Sequence, residues 1–150
     1  MKTITLIQPW ATLIALGEKK FETRSWKTNL RGPLLIHAGK KIDKEACNME
    51  PIKSTLAKHG LTAKNLPTGC IIAKTKIINV CLVLEEYVNW ANVKLIDHEE
   101  TNYAIEGNEF YFGNYEKGRY AWWLQNVEML KKPIPAKGQQ GLWNFNYEEE

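Results

Sequence analysis

The fold is decided near the start of the chain by the stretch Gln8-Pro9-Trp10-Ala11-Thr12-Leu13-Ile14-Ala15-Leu16-Gly17-Glu18-Lys19-Lys20-Phe21-Glu22-Thr23-Arg24-Ser25-Trp26. Its first half predicts a helix of about two turns. Pro9 suits the first helical position, and Trp10, Leu13 and Ile14 fall on one helical face. Gly17 can adopt the left-handed conformation that ends a helix. We therefore expect a short helix that stops at Gly17.

After this glycine the spacing of apolar residues changes from helical to alternating, which is typical of a strand. Phe21 and Thr23 would point to one side of that strand. The opposite side would hold the charged residues and one ring, namely Lys20, Glu22, Arg24 and Trp26. A strand face with an acid between two bases is either a solvated set of ion pairs or the floor of a polar cleft, and the spacing leaves both open.

The composition indicates one ordinary globular domain. The chain has 150 residues, of which 44% are hydrophobic and 25% are charged, enough to bury one core and too few to favour a second domain. We expect the domain to span residues 1–146 and the acidic segment 147–150 to be disordered. The net charge of +3 permits an anionic ligand, and no polybasic run demands one.

The sequence does not indicate metal centres, disulfides or membrane segments. Cys47, Cys70 and Cys81 have no cysteine or histidine at metal-ligand spacing, so we expect reduced packing residues, no metal and no cofactor. No apolar run approaches the ~18 residues of a membrane helix, and the first residues lack the layout of a signal peptide. We therefore expect a cytoplasmic protein without membrane contact. We also expect a monomer, although no sequence feature fixes the oligomeric state.

Further segments predict elements that bear on function. The apolar run 33–39 predicts a buried strand, in which His37 is either a core histidine bonded to a backbone carbonyl or a side chain that faces a cleft. The β-branched run 70–83 predicts a long, bent strand. Residues 97–105 predict a helix with Asp97 as its N-cap and a glutamate three residues on, as in a capping box.

An aromatic segment, residues 120–125, predicts a strand with a large ring on each face. Trp122 lies on one face and Trp123 on the other, so we expect one ring in the core. A ring near Arg119 would suit stacking on a nucleobase, which contributes about 1–3 kcal/mol per base at single-strand sites. Packing and stacking both stay open for Trp122.

The opening stretch resembles the signature of the ASCH domain, a relative of the RNA-binding PUA domain. Gly17, Lys19, Glu22 and Arg24 reproduce the spacing G-x-K-x-x-E-x-R. The preceding Gln8-Pro9-Trp10-Ala11 is similar to the Q-P-[YW]-A run of many ASCH proteins.

The end of the chain is also similar to the longer ASCH proteins and to related PUA-like proteins. Their last strands read Y-A-W-x-L, P-I-P-x-K-G and G-x-W, which resemble residues 120–124, 133–138 and 141–143. The resemblance therefore spans about residues 3–145. It implies an α+β, mainly β fold: a PUA-like, partly open β-barrel of five or six strands with short helices at its ends.

The resemblance implies a module that binds RNA, or a nucleoside or nucleotide, in a positively charged cleft. Lys19, Arg24 and Arg31 would contact phosphate, and Glu22 would pair with Arg24 or read a base edge. We expect Lys137 in the same cleft as Lys19. The remaining ligand-binding candidates are Trp26, His37 and Trp122.

A small metal-free hydrolase is the alternative. Some small bacterial proteins similar in the signature hydrolyse N4-acylated cytosine nucleosides with the signature lysine, a threonine and a carboxylate. Lys19 would then act as a base after burial lowers its pKa. Glu22 stands where those enzymes have the threonine, and Thr23 should face the other side of the strand.

Glu22 could itself activate water in such an enzyme, and Glu99 or Glu100 is a remote candidate for the missing carboxylate. A metal-free ribonuclease with Lys19, Glu22, Arg24 and His37 is a further alternative. Either enzyme needs a base at the bottom of a closed pocket, whereas a binding module needs only a positive and aromatic surface.

Overall fold

The computed structural model describes residues 1–98 and 100–149, and this part of the chain is mainly β with a few short helices. The elements follow one another as β1 (Lys2–Gln8), α1 (Trp10–Ala15), β2 (Phe21–Arg24), β3 (Gly32–Ile42), α2 (Lys44–Cys47), α3 (Ile52–Lys58), β4 (Cys70–Glu86), β5 (Ala91–Leu95), β6 (Asn102–Ile105), α4 (Asn108–Tyr111), β7 (Tyr120–Pro135) and β8 (Leu142–Asn144).

One sheet contains all eight strands of the described residues, in place of the five or six predicted. Its main path runs β2-β7-β4-β3-β1-β8, and β5 and β6 form a hairpin attached to β4. β1 and β3 are parallel, whereas the other pairs are antiparallel. No ladder joins β2 to β1 or β8 in this part of the chain, so the sheet is open.

The long strands β4 and β7 bend the sheet. They pair along most of their length, with register shifts at three places that mark bulges. The predicted long strand over residues 70–83 is therefore confirmed, and it continues to Glu86. The bend brings the edge strand β2 close to β1. The Arg24 Nη2 atom of β2 lies 3.3 Å from the Thr5 carbonyl oxygen of β1.

The opening stretch folds as its sequence predicts. The helix α1 ends at Ala15, and Gly17 follows with a φ of 77°, in the left-handed region that favours glycine. The amide groups of Glu18 and Lys19 both donate to the Leu13 carbonyl, which closes the turn. The chain then enters β2, which pairs with the first residues of β7.

The core comprises three clusters, and each contains one buried cysteine. The largest lies between the sheet and α1 and includes Cys70. The second lies beneath the β5–β6 hairpin and includes Cys81, and the third packs α2 and α3 against α1 and includes Cys47. All three cysteines are free thiols.

The predicted helix over residues 97–105 is wrong. Residues 102–105 form β6, which pairs with β5. The carboxylate of Asp97 receives the Arg31 guanidinium, at 2.8 and 3.2 Å, and does not cap a helix. Cross-strand pairing across the hairpin therefore outweighs the local capping pattern. Glu99 lies outside the described residues.

None of the helices in the described ranges is long and apolar enough to cross a membrane. The same residues contain no cluster of three or more histidine, cysteine, aspartate or glutamate side chains that could hold a metal ion. The segment predicted to be disordered ends at Glu150, which lies outside the described residues. Glu149, in the same segment, forms an ion pair with Lys74.

Candidate functional site

A cavity of about 570 Å³, here called the signature cavity, opens where β1 and β2 approach without pairing. Its lining comes from β1, α1, β2 and the segment after α4. The lining residues are Thr5, Leu6, Ile7, Trp10, Lys19, Glu22, Thr23, Arg24, Ser25, Trp26, Tyr111, Phe112, Gly113, Asn114 and Arg119. The four signature positions thus contribute three side chains to one cavity, and Gly17 makes the turn that places them.

Glu22 and Arg24 form an ion pair on β2, as expected from their shared strand face. The Arg24 Nε atom lies 2.9 Å from the Glu22 Oε2 atom, and the Arg24 Nη2 atom donates to the Thr5 carbonyl oxygen. Glu22 is 8% exposed, and the Arg24 side chain is 28% exposed. The guanidinium is therefore ion-paired with Glu22, without hydrogen-bond geometry at Nε, and hydrogen-bonded to Thr5, and it lines the cavity.

Lys19 is the most buried charged residue of the site, at 2% exposure. Its Nζ atom donates to the Phe21 carbonyl oxygen. Burial lowers the pKa of Lys19, the carboxylates of Glu22 and Glu109 oppose that shift, and Arg24 adds to it. A lysine in this setting loses its proton more readily than a lysine on the surface.

Glu109 is the second carboxylate that acts on Lys19, and no pattern in the sequence marks it. It lies in α4, and its Oε1 atom accepts a hydrogen bond of 2.7 Å from the Lys20 amide. Its Oε2 atom is buried and has no hydrogen-bond partner within the described residues. Burial raises the pKa of Glu109, and Lys19 opposes the shift. The fold therefore places an acid and a base of opposite pKa shift side by side.

Tyr115 completes this buried group. It is 1% exposed, and its hydroxyl has no hydrogen-bond partner in the described part of the chain. Burial raises the pKa of Tyr115, and the charges of Glu109 and Glu22 raise it further. The phenol is therefore a neutral donor close to two carboxylates.

Trp26 and Trp122 were both candidates for ligand binding, and the structure separates them. Trp122 is fully buried and belongs to the core, so the expectation that it contacts a ligand is wrong. Trp26 is 37% exposed and lines the signature cavity. Its ring packs edge-on against Trp122 at 4.9 Å, and the Trp122 indole N–H donates to the Trp26 carbonyl oxygen at 3.4 Å. The buried ring thus supports the exposed one.

The far wall of the signature cavity follows α4. Arg119 lines it and donates to the Asn114 carbonyl oxygen. The Thr23 hydroxyl accepts a hydrogen bond of 3.0 Å from the backbone amide of Asn114. Thr23 also lines the cavity, although it was expected on the opposite side of the strand. A Cβ atom on Gly113 would come within 3.0 Å of Thr23, so the wall needs glycine there to approach β2 this closely.

Arg31 does not lie in this cavity, contrary to prediction. Its guanidinium makes a two-point contact with Asp97 and also donates to the carbonyl oxygens of Thr28 and Leu30. The hydrogen bonds from Arg31 to Asp97 hold the pKa of Asp97 below its ordinary value. Arg31 therefore links Asp97 to the loop before β3. Glu100 is exposed and does not line the cavity either.

His37 and Lys137 lie in a second cavity of about 820 Å³, here called the loop cavity, so the expectation that Lys137 shares the cleft of Lys19 is wrong. His37 is 1% exposed, and its Nε2 atom lies 2.7 Å from the Ala136 carbonyl oxygen. This is the carbonyl-bonded core histidine that the sequence left as one option. The loop cavity shares only Thr5 with the lining of the signature cavity.

The signature cavity can therefore do two kinds of chemistry. Its lining includes three cationic side chains and one carboxylate, with exposed aromatic and amide groups, which suits a ligand that is both anionic and aromatic. Its lining includes the buried Lys19 and the carboxylate of Glu22, and Glu109 acts on Lys19 from outside the lining, an arrangement that suits proton transfer. Lys19, Glu22 and Arg24 could be found from the signature spacing. Glu109 had no local signal, because it lies 87 residues after Glu22 in the chain.

Comparison with known families gives one match. A family model described as the ASCH domain matches residues 4–134. The match includes the helix, glycine and strand of the opening stretch and the whole of the signature cavity lining. No curated protein matches the chain.

Proposed function

The chain belongs to the ASCH domain family, and from this premise we propose that it binds RNA, with one nucleotide unit held in the signature cavity. The observation that carries the proposal is the arrangement of Arg24. Its guanidinium is fixed by Glu22 and by the Thr5 carbonyl oxygen, and 28% of the side chain stays exposed toward the cavity. A preorganised guanidinium binds phosphate with little loss of side-chain freedom.

The rest of the cavity complements a nucleotide. Arg119 adds a second cation on the opposite wall, so a phosphate between β2 and the segment after α4 would meet positive charge from both sides. The exposed face of Trp26 can stack on a base, and the amide of Asn114 can hydrogen-bond to a base edge or a 2′-hydroxyl. The volume of about 570 Å³ lies within the range of small-ligand pockets, which is about 300–1,000 Å³.

Arg24→Gln tests this proposal, with Arg31→Gln as its matched control. Both arginines are ion-paired and similarly exposed, at 28% and 29%, but only Arg24 lines the cavity. We expect Arg24→Gln to weaken binding of a short single-stranded RNA by about 10–100-fold, the value of a charge-assisted hydrogen bond. Arg31→Gln should change it by less than about threefold.

Fluorescence anisotropy over a range of salt concentrations gives the measurement. Loss of one phosphate contact should reduce the slope of log K against log salt by about 0.7 for a single strand. Equal loss in both arginine variants would mean that binding depends on overall charge and would contradict a phosphate contact in the cavity. Wild type that binds no RNA at low salt would end the proposal.

A hydrolase that acts on N4-acylated cytosine nucleosides or on RNA is the second candidate, and a different observation favours it. Lys19 and Glu22 are buried and Glu109 is half-buried, and in this group the pKa of Lys19 is lowered and that of Glu109 is raised. On an acylated nucleoside, a base in this group would take a proton from water while the water oxygen attacks the acyl carbon. The C–N bond would then break, and the amine would leave with a proton.

Lys19→Met and Glu109→Gln test the hydrolase, with Glu116→Gln as a control at an exposed carboxylate. If the protein is an enzyme, wild type and Glu116→Gln release cytidine from N4-acetylcytidine, or shorten a single-stranded RNA, and the two site variants do not. Chromatography of the products measures both reactions. RNA binding without turnover of either compound would leave a recognition module.

A further inference from the structure

We propose that the loop cavity is a phosphate-binding subsite. It lies beneath the loop of residues 136–141 that joins β7 to β8, and Thr5 of β1 is common to its lining and to that of the signature cavity. The proposed function assigns no role to it. Four properties of its lining point to an oxyanion.

The first property is charge. Lys40 and Lys137 both line the cavity, both are exposed, and neither forms an ion pair among the described residues. The lining includes no carboxylate. Its other long polar side chains are the amides of Gln139 and Gln140, which can donate hydrogen bonds. The cavity thus has net positive charge and several donors.

The second property is the backbone of the loop. Within the described part of the chain, the amide groups of residues 137–140 donate to no protein acceptor, whereas the flanking Ala136 amide donates to the Gly69 carbonyl oxygen. Consecutive backbone N–H groups without partners are the donors with which proteins bind phosphate. An oxyanion in the cavity would satisfy donors that the fold leaves free.

The third property is His37. Its Nε2 atom must hold a proton, because the partner at 2.7 Å is the Ala136 carbonyl, which can only accept. Its Nδ1 atom is buried and has no hydrogen-bond partner in the described residues. A buried imidazole nitrogen without a partner is uncommon, because such a group loses its contact with water without compensation. In the neutral ring this Nδ1 atom only accepts, so an occupant of the adjoining cavity would meet it with an O–H group, either the P–OH of hydrogen phosphate or a ribose 2′-hydroxyl beside an internucleotide phosphate.

The fourth property is steric. A Cβ atom on Gly138 would come within 2.9 Å of Thr5 Cγ2 and 3.0 Å of His37 Cε1. Glycine at this position therefore lets the loop lie directly on Thr5 of β1 and His37 of β3. The absence of a side chain also leaves the backbone open to an incoming phosphate, which is a frequent reason for glycine at anion sites.

The phosphate has two sources that share this chemistry. It can be an internucleotide phosphate of the strand whose neighbouring unit fills the signature cavity, since Thr5 borders both cavities. It can also belong to a separate molecule. The first source extends the proposed function and depends on it, whereas the second does not.

Titration of ¹⁵N-labelled protein with inorganic phosphate, against chloride at equal ionic strength, tests the subsite by the amide signals of residues 137–140. We expect saturable shifts in wild type and at least fivefold weaker binding in Lys40→Gln/Lys137→Gln. The matched control is Lys53→Gln/Lys131→Gln, which removes the same charge from two exposed lysines outside the cavity.

A short single-stranded RNA then separates the sources. If the strand supplies the phosphate, RNA shifts the loop signals and excludes inorganic phosphate. If the phosphate is separate, inorganic phosphate still binds in the presence of saturating RNA. Failure of RNA to bind would contradict the proposed function. The phosphate titration alone would then decide whether the subsite exists. The subsite is overturned if phosphate shifts no loop signal beyond chloride, or if both double variants weaken equally.

Discussion

The two cavities that border Thr5 of β1 present positive charge in different ways. In the signature cavity the cations belong to side chains that other groups already hold: Arg24 is paired with Glu22 and Lys19 is buried against the Phe21 carbonyl. In the loop cavity the lysines are exposed and unpaired among the described residues, and backbone amide groups of residues 137–140 have no acceptor. The first cavity is built from packed side chains and the second from a loop.

This difference predicts different sensitivities. A site held by packed side chains should lose its geometry when the core beneath it changes, and its specificity should depend on single residues. A site that combines backbone donors with two exposed lysines should depend on those two charges and on the position of the loop, and less on the core beneath it. Four substitutions separate the two cases, and they follow in order of decreasing effect.

Trp122→Ala should have the largest effect. Because the ring is fully buried, its truncation should lower the free energy of unfolding by about 3–5 kcal/mol. The support of Trp26 disappears with it, so RNA binding should weaken while phosphate binding in the loop cavity persists. Urea denaturation and the two binding assays measure these effects. Trp122→Phe, which retains a ring, serves if the alanine variant does not fold, and an equal loss at both cavities would contradict the separation.

Trp26→Ala should affect binding more than folding. The ring is 37% exposed, so its removal should lower the free energy of unfolding by about 1 kcal/mol. If the ring stacks on a base, RNA affinity should fall by the equivalent of about 1–3 kcal/mol. Anisotropy with a short RNA measures the change. Trp90→Ala, at an aromatic residue outside the signature cavity, is the control and should leave the affinity unchanged.

Gly138→Ala should act on the loop cavity alone. The new methyl group would crowd Thr5 and His37, and overpacking of this kind costs about 1–3 kcal/mol of stability. The loop should lift from β3, and the phosphate-dependent shifts of residues 137–140 should decrease. Gly39→Ala makes a milder contact, at 3.1 Å from Thr5, and should have a smaller effect. A stable Gly138→Ala variant with wild-type phosphate binding would argue against the loop as the donor.

Glu109→Gln should change the pH dependence of stability. Burial raises the pKa of Glu109 above its ordinary value of 4.5, so between that value and the raised one the folded state binds more protons than the unfolded state. The free energy of unfolding should therefore fall as pH rises through this window in wild type. Glu109→Gln lacks that fall, so its stability relative to wild type should increase as pH rises from 4 to 7.

Urea denaturation at a series of pH values measures this difference, and Glu116→Gln at an exposed carboxylate is the control. A Glu109→Gln curve parallel to wild type would mean that the carboxylate titrates normally. The site would then lose one of its groups with a shifted pKa, and the hydrolase candidate would be weakened.

The local features of the fold could be predicted from the sequence because they depend on neighbouring residues. The stop of α1 at Gly17 and the shared face of Glu22 and Arg24 follow from helix and strand geometry. The same reasoning fails for residues 97–105, since a capping pattern is a weak preference and pairing with β5 decides the outcome.

The complete site could not be predicted, because its members meet only in the folded sheet. Alternation places Trp122 and Trp123 on opposite faces of β7 but does not say which face is buried. Glu109 lies in α4, which follows the β5–β6 hairpin, and the fold of these elements brings it near Lys19. Nothing near Glu109 in the sequence indicates that contact. Lys137 lies in the loop cavity because β7 runs on to Pro135 before the chain turns back.

The three cysteines can serve as probes of local opening in the core, because each lies in a different core cluster. Cys70, Cys81 and Cys47 each lie in a different core cluster and are buried, and burial raises the pKa of Cys81 to about 12. A thiol reagent can modify each residue only when its cluster opens, so three labelling rates, followed by peptide mass, report three local openings. A ligand in either cavity should slow the labelling of the clusters that it stabilises.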